Sequence, residues 1–134
     1  MSRTAAQTGL VLVTHGQIGQ SLIDAAAFIL DQSLTDVRFV SFRQSAMAAT
    51  GEAEIRAAID GAERGQGVLV LTDIGGASPF NSVTRLLQEG RVTLVTGVNL
   101  AMLIRAWNYR DQPPARLAAM VAEGGIRDIR EFNP

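Results

Sequence analysis

The sequence predicts an α/β fold: a single-domain three-layer sandwich, with a parallel sheet covered by helices on both faces. Three observations predict it. Leu10–Val13 and Val68–Leu71 are continuous apolar runs, the pattern of strands buried on both faces. Between such runs apolar residues recur at helical spacing, as at Ile18, Leu22, Ala25 and Ile29. Strands and helices alternate along the 134 residues, which implies βαβ units. That length suits one domain over residues 1–134, large enough to bury a core, and no repeat, low-complexity tract or linker divides it.

Each element follows from local chemistry. Gly9 precedes the first strand, Leu10–Val13, and a helix runs from Gln17 to Leu30 with its buried face on Ile18, Leu22, Ala25 and Ile29. Val37–Phe42 makes the second strand. A helix from Gly51 to Arg64 follows, capped by Thr50, with Ile55, Ile59 and Ala62 on one face and Gly65 and Gly67 closing it. Val68–Leu71 is the third strand. Ser78-Pro79 then starts a helix in the preferred order, a hydroxyl cap before proline, with Phe80, Val83 and Leu87 inward and Gly90 at its end. Val92–Val95 is the fourth strand, and Asn99 caps a helix bearing Leu100, Leu103, Ile104 and Trp107. Pro113-Pro114 opens a last helix through Leu117, Met120 and Val121, stopped by Gly124-Gly125. Ile126–Phe132 reads as a final strand of poor alternation.

Composition removes whole classes of chemistry. There is no cysteine, so disulfides, thiol nucleophiles and thiolate metal sites are excluded, and the chain suits a reducing cytoplasm. All twelve basic residues are arginine. Without lysine there is no Schiff base, no phosphate-loop lysine and no receiver-domain lysine. A net charge of −1 gives no long-range attraction to nucleic acid. Met1–Thr8 is short and polar, without the apolar core of an export signal, and no apolar run approaches the ~18–20 residues of a membrane span. No metal-ligand cluster is present, and no cofactor is called for.

Two features remain. His15 is the only histidine; it directly follows the first strand, and Gly16 leaves its ring open on one side. A lone histidine is more often a surface or packed residue than a reactive one, but α/β sheets bind ligands beyond the carboxyl ends of their strands, where His15 lies. The second feature is Thr72–Asn81: an acid ends a strand, Gly75 and Gly76 turn the chain, and Ser78-Pro79 begins a helix. Glycines let backbone N–H groups approach an anion, and the helix N-terminus supplies unpaired donors. The plainer alternative is a tight turn with Asp73 solvated and Ser78 acting only as a cap.

Together they make a specific scheme. If the first and third strands are neighbours, His15 and Asp73 emerge side by side. A carboxylate accepting the proton of one ring nitrogen fixes the tautomer and leaves the other nitrogen as a nucleophile. It also stabilises the cation that builds as the ring is phosphorylated. Gly75, Gly76 and Ser78 would then hold the phosphoryl oxygens, with Thr14 and Gly16, which flank His15, as further candidate contacts.

Val11–Gly16 and Thr72–Asn81 resemble the two signature segments of the mannose-type IIA component of the bacterial sugar phosphotransferase system, and Thr96–Leu103 resembles a third. The resemblance implies a four-stranded parallel sheet in order 2-1-3-4. It also implies a homodimer in which a C-terminal antiparallel edge strand, here Ile126–Phe132, is swapped onto the partner's sheet. In that family the histidine matching His15 takes a phosphoryl group on Nε2 from the phosphocarrier protein HPr and passes it to a IIB component. The aspartate matching Asp73 orients Nδ1, and Ser78 matches a serine or threonine near the phosphate. Ala101 stands where many members carry proline. The expected activity is that of a protein-histidine phosphotransferase in the cytoplasm. It would serve sugar uptake, beside membrane permease subunits without itself entering the membrane, or equally a phosphorelay that regulates rather than transports.

The alternatives are a regulatory module gated by His15 phosphorylation and the related phosphocarrier subunit of dihydroxyacetone kinases. In the kinase subunit a methionine–glycine–serine type turn is expected in place of Gly75–Asn81. Histidine phosphatases and mutases normally show arginine before the histidine and a second histidine, whereas Thr14 precedes a lone His15. Phe42 and Met47 are candidate docking residues, and Arg43, Arg105 and Arg110 read as solubilising surface arginines.

Overall fold

The computed structural model describes residues 6–42, 48–75, 83–84, 86–87 and 91–133. Four strands and four helices fall within them: β1 (Gln7–His15), α1 (Ile18–Leu30), β2 (Arg38–Phe42), α2 (Ala48–Ala62), β3 (Gly65–Thr72), β4 (Val92–Val95), α3 (Leu100–Asn108) and α4 (Pro114–Arg127). The strands form one parallel sheet in the order β2-β1-β3-β4. This is the α/β architecture expected from the sequence, in the order the family resemblance implied.

The apolar runs of β1 and β3 are explained by a core on each side of the sheet. Leu10, Leu12, Leu69 and Leu71 face Ile23 and Ala26 of α1, Leu103 and Trp107 of α3, and Leu117 and Val121 of α4. Val11, Val13, Val68 and Val70 face Ile55 and Ala62 of α2, together with Val83 and Leu86. Each such fully buried aliphatic side chain contributes about 1.5–3 kcal/mol, so the two central strands anchor the fold and hold their C-terminal ends in fixed register. Among the described residues no helix is long and apolar enough to cross a membrane.

Several element details differ from the sequence expectation. In α1 the buried residues are Gly19, Ile23 and Ala26, one position on from the expected stripe, while Ile18 and Ile29 are 48% and 56% exposed. The cause lies at the helix start. The Thr14 hydroxyl accepts the Gly19 N–H at 2.7 Å, and a Cβ on Gly19 would meet the Phe39 ring at 2.6 Å. The closest approach of helix to sheet is thus made by glycine, and that sets the rotation. Thr50 lies inside α2, which starts at Ala48, so it is not a cap. The helix ends at Ala62, and Gly65 and Gly67 belong to β3. There the Glu63 carboxylate gathers the N–H groups of Arg64, Gly65 and Gly67.

Asn99 does cap α3, accepting the Met102 N–H at 2.9 Å, and Pro114 stands at the start of α4. Gly124 and Gly125 do not stop α4. They lie under Arg105 and Met102 of α3, where any Cβ would collide, and so permit close helix packing. The segment read as a final strand begins as helix, because Ile126 and Arg127 complete α4, and residues 129–133 form no strand within the single chain. The helix expected from Ser78 to Gly90 lies largely outside the described residues. Within it Val83 and Leu86 are buried, whereas Leu87 is 40% exposed and does not face the core. Arg110 is not a free surface arginine: its guanidinium sits 3.3 Å over the Trp107 ring.

Candidate functional site

The sheet register brings the two candidate residues together. Val13 pairs with Thr72 across β1 and β3, and His15 pairs with Phe42 across β1 and β2. His15 therefore leaves the sheet between the ends of β2 and β3, with Asp73 as the first residue beyond β3. The Asp73 carboxylate meets His15 twice. Oδ2 accepts the His15 backbone N–H at 3.0 Å and faces Nδ1 at 3.1 Å, with Oδ1 at 3.3 Å from the same nitrogen. Oδ1 also accepts the Ile74 N–H at 3.0 Å.

This environment sets the charge state of the pair. Burial pushes the Asp73 carboxyl up. The His15 backbone N–H, the ring N–H and the proximity of the imidazole together outweigh that effect and hold it below the ordinary carboxylate value. An ionised Asp73 accepts hydrogen bonds only, so it selects the tautomer with the proton on Nδ1 and leaves a lone pair on Nε2. The aspartate side chain is 9% exposed and the histidine side chain 32%. The carboxylate is shielded while the imidazole ring reaches solvent. The Phe42 ring meets the imidazole edge-on, with centroids 6.2 Å apart.

The turn after His15 is tied by two hydrogen bonds and bent at a glycine. Thr14, fully buried, accepts the Gly19 N–H; its side chain holds the turn rather than lining the open space at the ring. Gly16 adopts φ +50°, a left-handed conformation that glycine takes without steric cost, and a Cβ there would meet nothing within 4 Å. The Ser41 hydroxyl donates to the Gly16 carbonyl at 2.7 Å. Ser41 had no role in the sequence reading. Its signal would have been the pairing of β1 with β2, which sets Ser41 opposite Thr14. Gly75 is exposed, and a Cβ on it would come to 3.0 Å from the Thr96 hydroxyl. Gly76 and Ser78 lie outside the described residues, as does Met47. Among the described residues no three His, Cys, Asp or Glu side chains gather as metal ligands.

Such an arrangement can present Nε2 as a nucleophile and spread the positive charge that forms on the ring when that nitrogen is substituted. It is suited to accepting an electrophilic group.

Comparisons with known proteins bear on the family and the fold. The family model EIIA-man, described as PTS system fructose IIA component, matches residues 9–122. The mannose-specific EIIAB component of the PTS system of Escherichia coli K12 is 28% identical over 127 residues, covering 92% of this chain. The chain spans 39% of the length of that relative. Among solved structures, the mannose/sorbose-specific IIA subunit from Enterococcus faecalis superposes with a TM-score of 0.84 at 25% identity, covering 96% of both chains. A PTS IIA protein associated with the fucose utilization operon of Streptococcus pneumoniae shares the fold, with a TM-score of 0.80 at 23% identity over 96% of each chain.

Proposed function

The chain belongs to the EIIA-man family of PTS IIA components, and from that premise we propose that it is a phosphohistidine carrier which accepts a phosphoryl group on Nε2 of His15. The single observation that supports this most is the contact of Asp73 with both the backbone and Nδ1 of His15. A phosphotransfer role in a sugar phosphotransferase system accords with the family as a whole.

In the proposed step the lone pair on Nε2 attacks phosphorus in line with a donor phosphohistidine. The Nε2–P bond forms as the donor's N–P bond breaks. The donor ring, protonated on its other nitrogen, leaves with that electron pair as neutral imidazole, and the His15 Nδ1 proton stays in place, held by Asp73. No oxidation state changes. Because both imidazoles leave and attack through nitrogen, the step needs positioning and dispersed charge stabilisation more than covalent help. Asp73 stabilises the phosphoimidazolium, and Gly75, Gly76, Ser78 and the Gly16 turn are the proposed surroundings of the phosphoryl oxygens.

HPr is the proposed donor and a IIB component the proposed acceptor, with the reaction in the cytoplasm beside membrane permease subunits. The active unit is a homodimer. Ile126, Ile129 and Phe132 are 71%, 75% and 84% exposed in the single chain, and β4 is a free sheet edge. An apolar tail and an open edge suit each other across a two-fold axis. Intact-protein mass spectrometry after incubation with phosphoenolpyruvate, enzyme I and HPr tests the carrier role. One acid-labile phosphoryl group is expected on the wild type and none on His15→Ala. No gain by the folded wild type with a matched donor would overturn it.

A further inference from the structure

Helices α3 and α4 border a groove of about 400 Å³ that the reactive pair does not use. Its described lining carries three arginines, Arg105 of α3, Arg127 of α4 and Arg130 beyond it, against one acid, Asp128. Arg127 pairs with Glu123 one helical turn away, and a cation in a last turn also offsets the helix dipole. Arg105 and Arg130 have no carboxylate partner among the described residues. Arg105 is nonetheless held in place. Its stem occupies the space left by Gly124, where a Cβ would collide with it. Its guanidinium carbon lies 5.3 Å from the centre of the Tyr109 ring, a cation–π contact, and its Nε is buried without a hydrogen-bond partner. Packing rather than an opposite charge fixes this cation, and ordering a long side chain costs conformational entropy that no ion pair offsets. A second guanidinium with a buried unpartnered nitrogen, that of Arg110, stands near Asp36 and Arg64, where the free space of about 10 Å³ holds one water at most. Of the two, the Arg105 groove alone combines an ordered, unneutralised cation with room for a ligand.

The chemistry of the lining selects the ligand. Guanidinium forks match the oxygen edges of carboxylates and phosphates. A phosphate brings three acceptor oxygens and close to two negative charges, which suits two unpaired arginines; a single carboxylate would leave one of them over. The volume lies in the range of small-molecule sites, and Ala101, Ile104 and the half-exposed Tyr109 ring set an apolar wall beside the cations. We propose that the groove between α3 and α4 binds a small phosphate, free or as the head of a monoester, through Arg105 and Arg130 with Arg127 beside them. The site shares no residue with the His15–Asp73 pair and does not depend on the carrier role.

The test is a titration of the full chain with phenyl phosphate and with inorganic phosphate at constant ionic strength, followed by backbone amide NMR shifts. Saturable shifts at Arg105, Tyr109, Gly124 and Arg130 are expected, with a Kd of about 1 mM or below. Arg105→Gln should weaken binding at least about tenfold, and Arg105→Lys, which keeps the charge and loses the fork, by less. Arg130→Gln, at an exposed position, should weaken it too, and it carries the test if Arg105→Gln fails to fold. Arg116→Gln removes an exposed arginine from the first turn of α4 and should bind as the wild type does. Tighter binding of phenyl phosphate assigns Ile104 and Tyr109 to the organic part of an ester; equal binding assigns the groove to free phosphate. Lack of saturation by either probe at about 10 mM overturns the site. So does wild-type affinity in both Arg105→Gln and Arg130→Gln, or an equal loss in Arg116→Gln, which would mean diffuse attraction to surface charge. Shifts confined to the residues around His15 also overturn it, because the phosphate would then occupy the reactive site.

Discussion

Oδ2 of Asp73 bonds to the backbone N–H of His15 and to the ring of the same residue, at 3.0 Å and 3.1 Å. One atom thus fixes both where the histidine leaves β1 and which of its nitrogens carries the proton. Orientation and tautomer are set together, and Ile74 N–H locks the other oxygen.

Asp73→Asn keeps the shape of the carboxylate but removes its charge. Phosphoryl transfer to His15 is expected to fall by about 10²–10⁴, the range seen when an orienting carboxylate is neutralised. Rapid-quench kinetics with phosphorylated HPr measures this, and the melting temperature controls for the fold. Transfer within about twofold of wild type would remove the orienting role.

The same contact has a pH signature. The Asp73 carboxyl titrates lower in the folded protein than in the unfolded chain. In the window between the two values the unfolded chain therefore holds more protons, and stability rises with pH. The stabilisation is complete above the ordinary carboxylate value of about 3.9 and is lost as pH falls through the folded value. Glu63 is lowered likewise: burial opposes, but the Gly67 and Gly65 N–H groups, Arg91 and the Arg64 N–H prevail. Urea denaturation followed from about pH 6 to pH 3 should show an acid limb that Asp73→Asn flattens in part. An unchanged limb would mean that Asp73 is not held ionised by the fold.

Gly19→Ala tests the rotation of α1. On helix propensity alone the change stabilises, by about 1 kcal/mol. The added Cβ would meet the Phe39 ring at 2.6 Å and the Thr14 hydroxyl at 3.0 Å, so a net loss of about 1–3 kcal/mol is expected. Stabilisation in urea would show that α1 presents a different face to the sheet.

Truncation after Asp128 removes Ile129 and Phe132, both exposed in the single chain. On the proposed homodimer, sedimentation is expected to report a dimer for the full chain and a monomer for the truncated one. A truncated chain that still sediments as the dimer would take the tail out of the interface.

The fold and the pair were largely legible in the sequence because each rests on a local signal. Runs such as Val68–Leu71 are apolar throughout only because both faces of β3 are covered. Asn99 announces α3 because an amide oxygen just before a helix can accept a first-turn N–H, here that of Met102. What escaped the sequence depends on neighbours. Helix α1 carries apolar residues on more than one stripe, so periodicity could not choose between Ile18–Ile29 and Gly19–Ile23–Ala26; contact with Phe39 and Thr14 chose. Gly124-Gly125 carries the signature of a helix stop, yet the pair is space for Arg105 and Met102 of a helix distant in sequence. Ser41 was silent because a bond from a hydroxyl to the Gly16 carbonyl exists only once β2 lies beside β1.

The most direct measurement is ¹⁵N NMR of the single histidine, labelled and observed before and after phosphorylation. Because His15 has no second histidine to confuse it, its two nitrogens report alone. The neutral ring is expected to carry its proton on Nδ1, and the phosphorylated protein to show a phosphorus coupling on Nε2. A neutral ring protonated on Nε2, with the phosphoryl group on Nδ1, would contradict it.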